Sequence, residues 1–132
     1  TDQLGDFLKG TEILIVLLPL TDETRGIINA QTLAMLPKGA FLISLARGAH
    51  VVDDDLLAAL DSGQIEHALL DAFTEEPLAD DHPFWSHPAI VVTPHIASRT
   101  TPRTAAAEIA IDIRRLLAGE EPRHPVDLQK GF

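Results

Sequence analysis

Four short apolar runs, at residues 13–18, 40–45, 67–70 and 89–92, recur at intervals of roughly 25 residues. Each is the length of a single strand, and each is apolar without the alternation that a half-wet strand shows. Helical patterns fill the first two gaps. Strand, helix, strand, with every strand apolar on both sides, is the pattern of a parallel sheet with helices over both faces. The chain is therefore read as α/β: an opening helical segment, four β units and a long final helix.

Local signals place the helices. In "NAQTLAML", Asn29 is an N-cap and Pro37 stops the helix after Leu36. In "DDDLLAALDSG", Asp53 is read as the cap, Asp54 and Asp55 suit the positive helix end, and Gly63 suits the position just past the other end. Helix capping accounts for the three aspartates more simply than a metal site does. "AFTEEPLADDHPFWSHP" reads as a loop that its Phe84 and Trp85 pack onto the domain, and "TTPRTAAAEIAIDIRRLLAG" as a strong helix. Thr101 caps that helix, Pro102 fits its first position, and Gly119 ends it. Ala106, Ile109, Ile113, Leu116 and Leu117 form one apolar stripe along it. Residues 2–9 read as the end of a preceding helix, and residues 120–132 as a polar tail.

The balance of 20 acidic against 10 basic side chains gives a formal charge of −10. That argues against a nucleic-acid partner, whose phosphates need a basic face, and against an anionic membrane surface. There is no cysteine, hence no disulfide framework and no thiolate chemistry. The longest apolar stretch, 13–20, is too short to span a bilayer and contains Pro19. With no signal-peptide layout, a cytoplasmic location is the expectation. The sequence starts at Thr1 and its one methionine is Met35, so a piece of a longer chain is expected.

In a parallel α/β sheet, ligands bind at the carboxyl ends of the strands. Those ends carry Leu18, Pro19 and Leu20; then Ala46 and Arg47; then Asp71, with Glu75 and Glu76 a few residues on; then Thr93, Pro94 and His95. Taken singly, each polar residue has an ordinary reading as an ion-pair partner, a turn cap or a solvated loop face. Converging on one rim, they make a chemical set. Arginine holds a carboxylate through two parallel hydrogen bonds, histidine exchanges a proton near neutral pH, and a neighbouring carboxylate favours the charged imidazole and orients it. Such a set suits an acid with a carbonyl beside its carboxylate: Arg47 binds the acid and His95 protonates the carbonyl oxygen as it becomes an alcohol. A hydride source is then required, and a doubly wound sheet is a common holder of nicotinamide. His82 and His87 flank "PFWS" without a convincing third metal ligand. His50, His67 and His124 read as structural or solvent-exposed.

Four ordered motifs, "LPLTDETRGIIN", "LARGAHVVDDDLLAAL", "LLDAFTEEPL" and "HPAIVVTPHIAS", resemble those of the D-isomer-specific 2-hydroxyacid dehydrogenases, from about Leu4 to Phe132. The loop "DDHPFWSHPAIVVTPHIA" and the ending "PVDLQKGF" are most similar to the glyoxylate/hydroxypyruvate reductase A branch. The resemblance implies an oxidoreductase that reduces a glyoxylate- or hydroxypyruvate-type 2-oxo acid to a D-2-hydroxy acid with NAD(P)H. It implies catalytic roles for Arg47, Glu76 and His95, with Glu76 rather than Glu75 as the partner of the histidine. It implies cofactor contacts at Leu18, Pro19, Leu20, Ala46, Arg47, Asp71, His95 and Ala97. A formate dehydrogenase of the superfamily is expected to carry glutamine in place of Glu76, so the acid favours hydroxyacid chemistry. Ser44 departs from the pattern, since relatives commonly have asparagine there.

No G-x-G-x-x-G occurs in the sequence. The resemblance puts that phosphate-binding loop upstream, together with most of a substrate domain. The expected architecture is thus the C-terminal half of a Rossmann-type doubly wound parallel sheet over residues 1–100, and a long exit helix and tail returning to the substrate domain over 101–132. NADPH is favoured over NADH by the resemblance, as is a homodimer of the full-length protein. By itself the piece is expected to be inactive and to expose the outer edge of its first strand. The alternative function is a nicotinamide-sensing binding module of the same fold without turnover.

Overall fold

A computed structural model of the chain describes residues 3–98 and 100–128. The chain divides into two compact units, Thr1–Ala97 and Ser98–Phe132. In the first, α1 (Leu4–Lys9) precedes four strands, β1 (Ile13–Val16), β2 (Ala40–Ser44), β3 (Ile65–Leu70) and β4 (Ile90–Val92). All pair in parallel in the order β1-β2-β3-β4. Helices α2 (Ala30–Ala34) and α3 (Asp53–Asp61) fill the first two crossovers. A long loop with a 3₁₀ turn, Pro83–Trp85, makes the third. The α/β class and Rossmann-type winding expected from the sequence are the fold observed.

Register does the work of positioning. Val16 pairs with Ser44, Ser44 with Leu70, and Leu70 with Val92, so the carboxyl ends of all four strands are level. Whatever follows those four residues emerges on one rim.

Among the described residues of this first unit, only one face of the sheet carries helices. Leu14, Val16, Ala40, Leu42, Ala68 and Leu70 are buried with Leu33 and Leu36 from the α2 segment and Leu56, Ala59 and Leu60 of α3. The opposite face leaves Ile13, Ile15, Phe41 and Val91 between 37% and 57% exposed. The expectation that both faces are covered is therefore corrected. Right-handed crossovers that step the same way across a sheet put their helices on the same side, and this chain steps only one way. β3 also begins two residues before the apolar run, at Ile65. Glu66 is exposed and His67 stacks on Phe41 at 5.8 Å on the open face, so polarity hid the start of a buried strand.

Asn29 caps α2 as read: its side-chain oxygen accepts the N–H groups of Gln31 and Thr32, while the Thr32 hydroxyl accepts the Asn29 N–H in return. Asp53 does not cap α3. Val52 holds the N-cap position without a side-chain bond, and Asp53 is the first helical residue. It faces His82 at 3.5 Å, and its pKa is raised by burial, which outweighs that histidine. Asp55 instead accepts the N–H of Ala30 and so joins the starts of α3 and α2. Gly63, at φ +69°, closes α3 as read. Phe84, 2% exposed, packs against Phe73 and His82 and takes the place of a crossover helix in the core. Trp85 does not pack as its neighbour does; it is 54% exposed and donates its ring N–H to the Ala79 carbonyl.

The second unit is α4 (Pro102–Leu117) and the segment after it. Thr101 occupies the N-cap position, but its side chain makes no capping bond; its carbonyl accepts the N–H groups of Thr104 and Ala105. Gly119, at φ +77°, ends the helix. The segment then folds back, so that Arg123 pairs with Asp112 at 3.1 Å and with Glu108. The apolar stripe along α4 is exposed at Ile109, Ile113, Leu116 and Leu117. The end of the expected polar tail, residues 129–132, lies outside the described residues. No helix among the described residues is long and apolar enough to cross a membrane.

Candidate active site

The level strand ends bring together what the sequence scatters. After β4 the chain turns through Thr93 and Pro94 to His95, whose φ of +53° lies in the left-handed region that bulky residues seldom enter. Such a conformation persists where surrounding bonds impose it. Here they come from Asp71, at the end of β3, which is 1% exposed. Its Oδ1 accepts the Thr93 hydroxyl at 2.5 Å and the Ile96 N–H at 2.9 Å, and its Oδ2 accepts the Ala97 N–H at 2.9 Å. One carboxylate thus clamps the chain on both sides of His95. Burial by itself would raise the Asp71 pKa; the hydrogen bonds from Thr93, Ala97 and Ile96 outweigh it and hold the carboxyl below its usual value.

His95 meets Glu76. The imidazole Nδ1 lies 2.9 Å from Oε2 and 3.1 Å from Oε1. A carboxylate only accepts, so Nδ1 carries the proton of this bond and Nε2 is the nitrogen left to exchange one. Oε1 also accepts the Phe73 N–H at 2.9 Å, which locks the carboxylate against its own loop. The hydrogen bond from His95 is the chief cause that lowers the Glu76 pKa; the Phe73 N–H adds to it, as do the charges of His95 and Arg47. Arg47 therefore sits close enough for its charge to act on Glu76. Its guanidinium is exposed and donates to the carbonyl of Ala46 at 2.7 Å. Arg47, Glu76 and His95 are gathered at one place; Glu75 is exposed and forms no part of the contact. Beside the pair lies a cavity of about 350 Å³ walled by Phe73, Leu78, Trp85, Val92 and Pro94.

The remaining strand ends offer surface for a ligand. At β1, Leu17, Leu18 and Pro19 are exposed and Leu20 is half-buried. At β2, Ala46 is buried, and the Ser44 hydroxyl is buried without a hydrogen-bond partner among the described residues. A nicotinamide fits this set: exposed leucines give its ring a dry wall, while Asp71 Oδ2, with one N–H on it, keeps acceptor capacity for a carboxamide. His82 and His87 face Asp53 and Asp61 across the loop, at 3.5 and 3.4 Å, rather than each other.

Two features of the rim lie beyond local pattern. His50, expected to be structural or solvent-exposed, is structural: it is fully buried and bonds to the backbones of Arg47 and Pro19. Gly48 passes so close to the Phe73–Thr74 backbone that a Cβ there would stand 2.0 Å from the Phe73 carbonyl carbon. Neither fact has a signal in local pattern, because both depend on loops that follow different strands.

Residues 1–97 match the model of the family described as D-isomer specific 2-hydroxyacid dehydrogenase, NAD binding domain. A glyoxylate/hydroxypyruvate reductase A of Klebsiella pneumoniae (strain 342) is 51% identical over 98% of this chain, and one of Serratia proteamaculans is 52% identical over 99%. The chain spans 42% of the length of each. The crystal structure of a D-isomer specific 2-hydroxyacid dehydrogenase from Xanthobacter autotrophicus Py2, in complex with NADPH and MES, superposes with a TM-score of 0.92 at 50% identity, over 99% of this chain and 54% of that one. An NADPH-dependent glyoxylate/hydroxypyruvate reductase from Sinorhizobium meliloti, with NADP and sulfate, superposes at 0.91 with 37% identity, over 100% of this chain and 43% of that one. With the family model covering most of its length and relatives at half identity over nearly all of it, the chain belongs to the D-isomer specific 2-hydroxyacid dehydrogenases.

Proposed function

We propose that the full-length protein reduces a small 2-oxo acid of the glyoxylate or hydroxypyruvate kind to a D-2-hydroxy acid, with NADPH as the cofactor. The observation that carries this reading is the His95–Glu76 contact at 2.9 Å on the same rim as Arg47. Arg47 holds the substrate carboxylate through its planar fork and draws electron density from the adjoining carbonyl. His95 stands with Nε2 toward that carbonyl oxygen and delivers a proton as negative charge develops there. Glu76 fixes the ring through Nδ1 and stabilises its positive charge before the proton leaves. A reduced nicotinamide bound beside them supplies the hydride. Leu18, Pro19, Leu20, Ala46, Arg47, Asp71, His95 and Ala97 form its surface, and Asp71 keeps His95 in its left-handed turn.

NADPH is preferred because relatives at 50% and 37% identity were solved with NADPH and NADP. In the same reading, residues 1–100 are the C-terminal half of the cofactor domain, residues 101–132 return the chain to the substrate domain, and the protein is a cytoplasmic homodimer. The test is glyoxylate- and hydroxypyruvate-dependent oxidation of NADPH by the full-length protein, followed as loss of the reduced nicotinamide's absorbance. Turnover with either acid supports the reading. NADPH binding without turnover on any 2-oxo acid overturns it in favour of a nicotinamide-sensing module.

A further inference from the structure

We propose that His50 is a positioning residue that ties the loop presenting Arg47 to the cofactor-facing turn at Pro19; this rests on the functional reading above. His50 is 0% exposed, and a buried imidazole needs partners for both ring nitrogens. It finds them in two loops that follow different strands. Nε2 lies 3.3 Å from the Pro19 carbonyl, 31 residues away, and must carry a proton because a carbonyl only accepts. Nδ1 lies 3.2 Å from the Arg47 amide nitrogen and 2.9 Å from the Arg47 carbonyl oxygen. A bare Nδ1 accepts from that N–H, and a protonated Nδ1 donates to that carbonyl, so the link to Arg47 exists in either state.

Both anchored segments depend on this link. The Arg47 N–H has no other acceptor among the described residues. The Arg47 guanidinium is exposed and bonds to the Ala46 carbonyl, so its aim follows the backbone at 46–47. The Pro19 carbonyl also accepts the Thr24 hydroxyl at 2.7 Å; backbone bonds from Gly26 to Ala49 and from Ile28 to His50 join the same two segments farther along, and the His50 side chain adds the link at Pro19 itself. A leucine at this position fills the space but leaves the Arg47 N–H without its acceptor and the Pro19 carbonyl with the Thr24 hydroxyl alone. The two proposed ligand sites are thereby joined through one side chain that touches neither ligand.

The experiment compares His50→Leu, His50→Asn and His50→Gln in the full-length protein. KM for glyoxylate and Kd for NADPH are measured by steady-state kinetics and nicotinamide fluorescence, and circular dichroism checks folding. The shorter asparagine amide replaces Nδ1, and the longer glutamine amide replaces Nε2. The leucine variant is expected to weaken both constants by about three- to tenfold, the worth of a buried hydrogen bond. Asparagine restores the glyoxylate KM alone, and glutamine restores the NADPH Kd alone. Leucine constants within about twofold of wild type, or asparagine and glutamine variants that change both constants alike, overturn the proposal. If leucine prevents folding, the split between asparagine and glutamine decides. If the wild type binds NADPH but reduces no 2-oxo acid, the functional reading fails, while the NADPH arm still decides the role of His50.

Discussion

Replacing Gly48 with alanine should separate the two halves of the proposed catalytic set. The added Cβ would stand 2.0 Å from the Phe73 carbonyl carbon, 2.1 Å from the Thr74 nitrogen and 2.4 Å from the Phe73 Cα. All three are backbone atoms, so no rotamer change relieves the overlap. The loops must part by about 1.4 Å to reach the 3.4 Å of ordinary contact. Gly48 has no positive φ, so the effect is one of space and not of conformation. Overpacking of this kind costs about 3 kcal/mol where the neighbour is rigid. Arg47 moves with one loop and Glu76 with the other, because Glu76 is bonded to the Phe73 N–H. A shift of roughly 1 Å between reacting groups lowers turnover about 100-fold. Urea denaturation and kcat/KM for NADPH-dependent glyoxylate reduction, both on the full-length protein, read the two effects. Gly63→Ala is the control: its φ of +69° strains an alanine by about 1 kcal/mol, but nothing lies within 4 Å, so activity should hold. A Gly48→Ala protein as stable and as active as wild type would refute the close packing of these loops.

Asp71→Asn should destabilise by about 3 kcal/mol, since one acceptor oxygen becomes an amide facing buried N–H donors; thermal melting of the full-length protein reads it. The pH dependence follows from the same carboxylate. Its folded pKa lies below the ordinary 3.8, so the unfolded chain takes up the proton first; its contribution is complete above that value and is lost as pH falls through the lower folded value. Wild type should lose stability on acidification through that window more steeply than Asp71→Asn, and parallel curves would contradict the clamp. Ser44→Ala removes a buried hydroxyl without a partner, so stability without ligand should stay level or rise by about 1 kcal/mol; a clear loss in urea denaturation would mean that the hydroxyl has a partner. Glu76→Gln keeps an oxygen for Nδ1 but removes its charge, so kcat should fall about 100-fold with KM little changed. A fall in affinity alone would place Glu76 in binding.

The architecture was legible because it rests on features that lie within short windows. Apolar runs mark β1, β2 and β4, and the Asn29 capping box is closed by residues three apart. The rim was legible because strand ends in a parallel sheet need no tertiary detail to be found. What stayed hidden depends on distant chain. Asp53 looked like a cap, yet His82, 29 residues on, takes its carboxylate. The uncovered sheet face cannot be seen in apolar runs, which look alike whether or not a helix covers them. Asp71 was read as a cofactor contact from resemblance, and its grip on Thr93, Ile96 and Ala97 appears only once β3 and β4 lie side by side.

The most direct test of the proposed catalytic set is Arg47→Ala in the full-length protein, assayed for NADPH oxidation with glyoxylate. Losing the paired hydrogen bonds to the substrate carboxylate should lower kcat/KM by about 1000-fold, roughly 4 kcal/mol of transition-state binding, in a protein that remains folded. Turnover close to wild type would contradict the assignment of Arg47, and with it the arrangement around His95 and Glu76.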